Sequence, residues 1–287
     1  MKSEKRRTVL PPVDREVVSP PIWWLASYPK SGNTWLRMFL TAYSTHGRCD
    51  INSPGIVTSD QTPQFYQMTT SKPFSALNQC ELHHLRPAML QNLIALYPRR
   101  PIYIKTHNCC STVDDIPLIP PALSMGATYI IRDPRDVCVS YANHMGTDID
   151  HSIDMMTDSG HRNGDAPILY VVSRWDAHVE TWATSKIKVG IVRYEDLLEN
   201  PQDKFSSILR HMGIPVVDSY VYYAVGASSF ESLKSQEEES GFREKTKHQD
   251  RFFRLGRSGA WLHILSKKQR DRIEKEFGPT MEKFGYV

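Results

Sequence analysis

The sequence lacks a long apolar run: none of its 287 residues lies in a stretch approaching the roughly 18 apolar positions of a membrane-spanning helix. Residues 1–21 are charged and then proline-containing, without the apolar core of a secretory signal. We therefore expect no membrane partner and a cytoplasmic location. A polar lead over 1–21 is expected to precede one domain over 22–287.

Cysteine is scarce. The sequence has five cysteines, an odd number, and they show no C-x-x-C spacing. This disfavours a disulfide framework and a zinc site. The formal net charge of +3 is too small to indicate a nucleic-acid partner, although it allows a local basic site for a small anion. We expect neither a metal cofactor nor nucleic acid. The oligomeric state is not predicted.

Strand-like apolar runs alternate with segments of helical spacing along the chain. Strands are predicted at 22–26, 102–105, 127–131 and 189–193. Helices are predicted at 34–43, 134–143, 168–184, 201–212 and 267–277, and long polar loops at 44–80, 146–166 and 226–259. The alternation predicts an α/β fold, a single domain with a central parallel sheet flanked by helices. Ligands bind such sheets beyond the C-terminal ends of the strands.

A phosphate-binding loop is predicted directly after the first strand. The segment 28–35 reads YPKSGNTW and leads into a helix. Helix N-termini attract anions through their unpaired N–H groups and dipole, and Lys30 adds a positive charge. The G-x-x-x-x-G-K-[ST] pattern is missing, which disfavours a Mg²⁺-dependent kinase or ATPase. A tight turn with an exposed lysine remains the structural alternative.

The segment 28–35 resembles the 5′-phosphosulfate-binding loop of cytosolic-type sulfotransferases, commonly written YPKSGTTW. These enzymes have a P-loop-like architecture and use 3′-phosphoadenosine 5′-phosphosulfate (PAPS), releasing adenosine 3′,5′-bisphosphate (PAP). Asn33 replaces the usual threonine but keeps a donor. The resemblance implies that Trp35 stacks on the adenine, whereas a core position on its helix is the alternative. It implies nucleotide contacts from Lys30, Ser31, Gly32, Asn33, Thr34 and Trp35.

Two later segments extend the resemblance over most of the chain. The segment 129–141, YIIRDPRDVCVSY, is similar to the 3′-phosphate-binding region, where an ordinary surface ion network is the alternative for the arginines. The segment 252–261, FFRLGRSGAW, is similar to RKGxxGDW, with Leu255 for a lysine and Ala260 for an aspartate. Further nucleotide contacts implied by the resemblance are Arg132, Ser140, Tyr194, Ser228, Phe230, Arg254, Leu255 and Gly256.

The predicted chemistry centres on the end of the second strand. Lys105 and His107 are two residues apart, so an extended backbone places both side chains on one face. The resemblance implies that His107 takes the proton of the acceptor, that Lys105 neutralises the sulfuryl oxygens and that Lys30 stabilises the leaving phosphate. A solitary structural histidine is the alternative. The resemblance therefore predicts a PAPS-dependent sulfotransferase that needs no metal.

The acceptor is predicted less directly, as a hydroxyl or amine of a small molecule. Five aspartates between 144 and 165 favour a polar or cationic metabolite, with a secondary-metabolic role, although a solvated acidic face is the plain alternative. A flat phenolic acceptor between aromatic walls is the competing prediction. Candidate acceptor-binding residues are Phe65, Tyr66, Tyr141, His144, Asp148 and Asp150.

Two other classes of protein remain open at this point. A phosphoryl-transfer enzyme such as a small-molecule kinase could use a related P-loop-like fold, although no Mg²⁺-binding partner is evident. A nucleotide-binding protein without catalysis would keep the phosphate motifs and dispense with the base. The presence of Lys30, Lys105 and His107 favours an active enzyme.

Overall fold

A computed structural model of the chain describes residues 21–53, 55–97, 101–163, 168 and 170–287. The predicted polar lead thus lies almost wholly outside the described residues. The described chain contains strands β1 (Ile22–Ser27), β2 (Val57–Ser59), β3 (Ile102–Thr106), β4 (Thr112–Val113), β5 (Ile116–Pro117), β6 (Ser124–Ile131), β7 (Arg162–Asn163), β8 (Tyr170–Val171) and β9 (Val189–Arg193).

The α-helices of the described chain occur between Asn33 and Lys283. They are α1 (Asn33–Ser44), α2 (Pro63–Gln67), α3 (Gln79–Leu96), α4 (Pro134–Met145), α5 (Ile149–Thr157), α6 (Trp175–Ala183), α7 (Tyr194–Glu199), α8 (Pro201–Met212), α9 (Asp218–Ala227), α10 (Phe230–Ser240), α11 (Trp261–Ile264) and α12 (Lys267–Lys283). Short 3₁₀ helices occupy Phe74–Ala76 and Pro121–Leu123.

Five parallel strands form the central sheet in the order β2-β3-β1-β6-β9. Strand β1 is buried along its whole length, as its run of IWWLAS requires. Trp24 and its strand neighbours on one face pack with α3, α4, α6 and α12, whereas Trp23 and Leu25 pack with α1, α8 and α9. The indole N–H of Trp23 donates to Thr128 Oγ1 at 3.1 Å, so this buried donor is satisfied.

The predicted α/β class and parallel sheet are confirmed, with local corrections to one helix and to the predicted loops. The helix predicted over 168–184 is wrong at its start, because Tyr170–Val171 pairs as β8 and α6 begins only at Trp175. Ser173 lies between them with a φ of 61°, a left-handed conformation that interrupts a helix. All three predicted loops contain regular structure: 44–80 contains β2 and α2, 146–166 contains α5, and 226–259 contains α10. In α5, Ile153 and Met156 are buried.

The topology places four chain segments at one edge of the sheet. Because β1, β3, β6 and β9 are parallel, their C-terminal ends meet at that edge. The loop from β1 to α1, the residues after β3, the start of α4 and the start of α7 therefore lie side by side. The predicted phosphate and catalytic motifs belong to these segments.

Candidate active site

A cavity of about 740 Å³ opens at this edge of the sheet. It is bounded by the β1–α1 loop, the end of β3, one face of α4, the start of α7 and the chain from 225 to 260. Most of the residues predicted from the sequence line it together. They are Lys30, Gly32, Asn33, Thr34, Trp35, Lys105, His107, Arg132, Ser140, His144, Tyr194, Ser228, Phe230, Arg254, Leu255 and Gly256.

The β1–α1 loop has the geometry of an anion cradle. Lys30 and Gly32 have φ values of 66° and 107°, so the chain turns sharply into α1. A Cβ at position 32 would lie 2.7 Å from Cδ2 of Tyr194, which only glycine avoids. No side chain caps the N-terminus of α1, and Ser31 Oγ is buried without a hydrogen-bond partner. Donors left in this way fit an anionic group of a ligand.

Asn33 has a structural contact in addition to its place in the cavity wall. Its Nδ2 donates to the Leu25 carbonyl at 2.9 Å, so the amide donor ties α1 to β1. The amide nitrogen carries a second hydrogen and Asn33 lines the cavity, so a contact from this side chain to a phosphate stays a prediction. Its backbone N–H, at the first position of the uncapped helix, is the group that suits an anion.

Arg132 connects the loop with the C-terminal motif. Its guanidinium donates to the carbonyls of Lys30 and Arg257, both at 3.1 Å, and lies 4.4 Å from the Tyr194 ring centroid. Its Nε is buried without a partner. An arginine fixed by two backbone contacts and a ring is prepared to bind a phosphate without further ordering.

Trp35 is held against the body of the protein as well as lining the cavity. Its ring meets Tyr194 and Phe205 edge-on, with centroid distances of 5.9 and 5.4 Å. Its Nε1 is buried without a hydrogen-bond partner. The packing alternative is thus partly realised, and stacking of Trp35 on an adenine stays a prediction.

Asp136 fastens the C-terminal motif to the cavity wall. Its carboxylate accepts from Gly259 N at 2.7 Å, Trp261 N at 3.1 Å and Ser258 Oγ at 3.4 Å. Gly256 has a φ of 59°, and a Cβ there would lie 2.3 Å from the Phe230 ring. These hydrogen bonds explain why the segment 254–256 lies at the cavity although it is far from β6 in the sequence.

Glu237 of α10 orients the aromatic start of the same motif. It accepts from the backbone N–H groups of Phe252 and Phe253 at 2.7 and 2.9 Å. The Lys30 Nζ lies 4.0 Å from the Phe252 ring centroid. This cation–π contact holds the lysine at the cavity wall.

His107 is held in a single tautomer. Its Nδ1 lies 2.8 Å from the Ser27 carbonyl, which can only accept, so Nδ1 carries the hydrogen. The lone pair is therefore on Nε2. Because the His107 ring lines the cavity, this nitrogen is the one that can act as a base. Burial, reinforced by the positive charge of Lys105, holds the pKa of His107 well below its ordinary value. The imidazole is therefore neutral, the state that a proton acceptor needs.

His178 holds the backbone of His107 in place. Its Nε2 donates to the His107 carbonyl at 3.1 Å, and its Nδ1 accepts from the Tyr129 hydroxyl at 2.8 Å. Burial lowers the pKa of His178 to about 4, so it is neutral and this tautomer is the one consistent with both contacts. The sequence pattern did not single out His178.

A buried carboxylate organises the residues on either side of His107. Asp60 Oδ2 accepts from Thr106 Oγ1 at 2.8 Å, Asn108 Nδ2 at 3.0 Å and Arg86 Nη2 at 2.8 Å. Asp60 is fully buried. It was missed because it lies in the segment 44–80, whose sequence reads as an irregular loop.

A second ion cluster was also missed. Glu244 Oε2 lies 2.8 Å from Arg37 Nη2 and 3.4 Å from Lys105 Nζ, and it lines the cavity. The available signal was the spacing of Thr34, Arg37 and Thr41, which gives α1 a polar stripe although most of that helix is buried. Nothing comparable marks Glu244 among the polar residues around it.

The predicted aromatic walls of the acceptor pocket are wrong. Phe65 and Tyr66 belong to the hydrophobic core, and the Tyr141 hydroxyl is bonded to His161 Nε2 at 2.7 Å. None of the three lines the cavity. Their apolar character reflects packing against β1 and its neighbours rather than ligand contact.

The predicted aspartates also lie away from the cavity. Asp148 caps α5 by accepting from His151 N at 2.7 Å, and Asp150 accepts from Gln269 Nε2 at 3.2 Å. The prediction that they border the acceptor pocket is therefore wrong. His144, by contrast, lines the cavity and contacts Gln249 Oε1 at 2.9 Å.

Two features are absent from the part of the chain that the structure describes. No group of three or more His, Cys, Asp or Glu side chains there is placed to hold a metal ion. In the same part of the chain, no helix combines the length and apolar character needed to cross a bilayer.

Comparison with known proteins identifies one family. The model of the sulfotransferase domain matches residues 20–285. Rat sulfotransferase 1A1 is 25% identical over 268 residues, which cover 90% of this chain and 83% of that protein. The flavonol 3-sulfotransferase of Flaveria bidentis is 23% identical over 288 residues, covering 92% and 83%.

Solved structures share the fold. Mouse sulfotransferase SULT7A1 complexed with PAP superposes with a TM-score of 0.61 at 20% identity, covering 91% of this chain and 85% of that chain. Retinol dehydratase, in a complex with retinol and PAP, gives 0.62 at 17% identity, covering 92% and 82%.

Proposed function

The chain belongs to the sulfotransferase domain family and is a sulfotransferase, and we propose that it transfers the sulfuryl group of PAPS to a hydroxyl or amine of a small, polar metabolite. One observation carries the proposal. His107, with its lone pair on Nε2, shares a cavity with the phosphate loop, Lys105 and Arg132. The family match decides against the phosphoryl-transfer alternative.

The donor groups of the site support PAPS as the sulfuryl donor. Ser31 Oγ and Arg132 Nε are buried without partners, and no side chain caps α1. The relative from mouse was solved with PAP. PAPS supplies a sulfuryl group on a good leaving group. Lys30, the loop and Thr34 are assigned to its 5′ side, and Arg132, Ser140 and the segment 254–256 to its 3′-phosphate.

In the proposed reaction His107 Nε2 takes the proton of the acceptor hydroxyl or amine. The acceptor oxygen or nitrogen forms a bond to sulfur as the bond from sulfur to the 5′-phosphate oxygen breaks. The electron pair of that bond stays on the phosphate, and PAP leaves. Lys105 offsets charge on the sulfuryl oxygens and Lys30 offsets the charge that develops on the phosphate. The protonated His107 keeps its position through the Ser27 carbonyl.

The remaining lining favours a polar acceptor. Away from the phosphate loop, the cavity lining includes the polar residues Gln61, Asn143, His144, Thr246 and Gln249, together with the apolar residues Val139, Met145 and Leu233. Tyr170, which also lines the cavity, meets the His107 ring edge-on with 5.2 Å between the ring centroids. Amide and hydroxyl side chains fix hydroxyl- or amine-bearing ligands, whereas a flat phenol needs apolar walls. The cationic version of the proposal rested on Asp148 and Asp150 and loses that support.

The proposal is tested by turnover with PAPS over a panel of acceptors. Hydroxylated and amino-bearing sugars and amino alcohols are compared with planar phenols. We expect kcat/KM to favour the polar group by roughly tenfold or more, since unpaired polar groups of a site reject ligands that leave them unsatisfied. A preference for planar phenols would contradict the polar acceptor, and absence of sulfuryl transfer to every acceptor would contradict the donor or the reaction class.

The role of His107 is tested separately with His107→Gln. We expect kcat to fall by roughly 10²- to 10⁴-fold, the usual contribution of a general base. PAP affinity should stay within about twofold, because His107 is not assigned to the nucleotide. His151→Gln, an exposed histidine on α5, is the matched control and should retain full turnover. Unchanged kcat in His107→Gln would remove it as the base.

A further inference from the structure

Glu244 is a carboxylate in contact with the proposed sulfuryl-binding lysine. Its Oε2 lies 3.4 Å from Lys105 Nζ and 2.8 Å from Arg37 Nη2, so both cations share one oxygen. The Arg37 side chain is only 4% exposed, and it also donates to Thr34 Oγ1 at 3.0 Å. Arg37 is thus a fixed anchor that holds Glu244 beside Lys105.

Glu244 is the main negative charge among the cations of the reaction centre. Burial lowers the pKa values of Lys30 and Lys105, and in both cases Glu244 is the strongest charge that opposes the shift. Although burial acts in the other direction, Arg37 and Lys105 hold the pKa of Glu244 below its ordinary value. Glu244 is therefore ionised at neutral pH and faces Lys105 as an anion.

This arrangement leaves Lys105 with two competing anionic partners. Under the proposed function, on which this inference rests, Lys105 binds the sulfuryl oxygens of PAPS. A carboxylate and a sulfuryl group on one ammonium group repel each other in a poorly solvated cavity. We propose that Glu244 is the anionic partner of Lys105 when PAPS is absent and that the sulfuryl group replaces it in that contact.

The two distances indicate which contact gives way. The Arg37 contact is shorter and belongs to a nearly buried side chain, whereas the Lys105 contact is longer. Lys105 therefore exchanges Glu244 for the sulfuryl group while Glu244 stays on Arg37. Glu244 acts as a specificity-determining residue: it keeps small anions such as inorganic sulfate off Lys105, and it weakens binding of PAPS relative to PAP, which lacks the sulfuryl group.

The test compares PAPS and PAP binding to Glu244→Gln by titration calorimetry without acceptor. We expect PAPS to bind roughly tenfold more tightly than to the wild type, since one competing charged contact is removed, and PAP affinity to change by about twofold at most. Inorganic sulfate should also inhibit the variant at lower concentration. Glu238→Gln, which loses a surface ion pair with Arg251, is the matched control and should shift neither ligand.

A second variant covers the case in which Glu244→Gln folds poorly. Glu244→Asp shortens the side chain by one methylene, so it can keep the shorter Arg37 contact while withdrawing from Lys105. The same preferential gain for PAPS is expected. Equal changes for PAPS and PAP, or no change for either, would overturn the inference alone. Failure of PAP to bind the wild type would instead overturn the nucleotide site and with it the proposed function.

Discussion

Lys30 combines backbone strain with a shifted titration. It is a non-glycine residue at a φ of 66°, a conformation that is uncommon outside functional sites. Burial, with the nearby cations Lys105 and Arg132, lowers its pKa to about 7 despite the opposing charge of Glu244. The free protein therefore holds this lysine partly neutral at physiological pH.

The Lys30 pKa predicts a pH dependence of nucleotide binding. An anionic phosphate favours the charged lysine, so binding above pH 7 must take up the proton that the free protein has lost. PAP affinity should fall as pH rises from 7 to 9, with a slope approaching tenfold per pH unit, because phosphate groups, with second pKa values near 6, are already ionised in that range. Calorimetric titration at several pH values measures this slope.

Lys30→Arg provides the matched control for that titration. A guanidinium remains charged over the whole range, so its PAP affinity should vary little with pH. A flat profile in the wild type, or the same slope in both proteins, would show that Lys30 is not the group that takes up the proton.

At the scale of elements, the end of β3 is fixed before any ligand arrives. Asp60 holds Thr106 and Asn108, and the His107 backbone accepts from His178. Preorganised positions of this kind are what a reacting group requires, because ordering is then complete before the reaction. We expect Asp60, which directly follows the short strand β2, to matter for catalysis although it is absent from the cavity lining.

Asp60→Asn should lower both stability and turnover. It leaves the buried Arg86 without its charged partner, a change that typically destabilises a fold by about 3–5 kcal/mol. We expect kcat to fall with PAP affinity retained, since the phosphate loop lies on β1 and α1. Thermal unfolding, kinetics and PAP titration separate these effects.

The double variant Asp60→Asn with Arg86→Met distinguishes positioning from folding. Removing the unpaired arginine should restore much of the stability, whereas the lower kcat should persist because Thr106 and Asn108 remain without the carboxylate. Asp50→Asn, at an exposed aspartate, is the control. Full recovery of kcat in the double variant would show that Asp60 acts only through stability.

The elements also show how far the sequence alone could lead. Strand β1 and helix α1 were predictable because a continuous apolar run and a 3.6-residue spacing each have one good structural solution. Helix α5 was not, since its aspartates hide the apolar spacing of Ile149, Ile153 and Met156. Asp148 was mistaken for a ligand because a helix N-cap and a binding carboxylate look alike in a sequence. Glu244 contacts residues 139 and 207 positions away, which local patterns cannot indicate.

Across the whole molecule, the cavity joins parts that are distant in the chain. The loop at 28–35 lies on β1, Arg132 follows β6, and the segment 254–256 reaches the same place through Asp136 and Glu237. The C-terminal end is tied in as well, because Arg135 donates to the Tyr286 carbonyl at 2.8 Å and lies 3.8 Å from the Trp261 ring centroid. A ligand that contacts all these segments should stabilise the fold as one unit.

Thermal unfolding with PAP measures this coupling. A ligand at about a hundred times its Kd adds roughly 2.7 kcal/mol to the free energy of unfolding, which corresponds to about 5 °C for a protein of this size. ATP with Mg²⁺ carries no 3′-phosphate for Arg132 and Ser140, so we expect a much smaller shift. Arg132→Gln should lose most of the PAP response, whereas Arg210→Gln on α8, outside the cavity lining, should keep it. A response to ATP with Mg²⁺ that equals or exceeds the response to PAP would contradict the assignment of the 3′-phosphate contacts, because the linkage would then arise from the shared 5′ side alone.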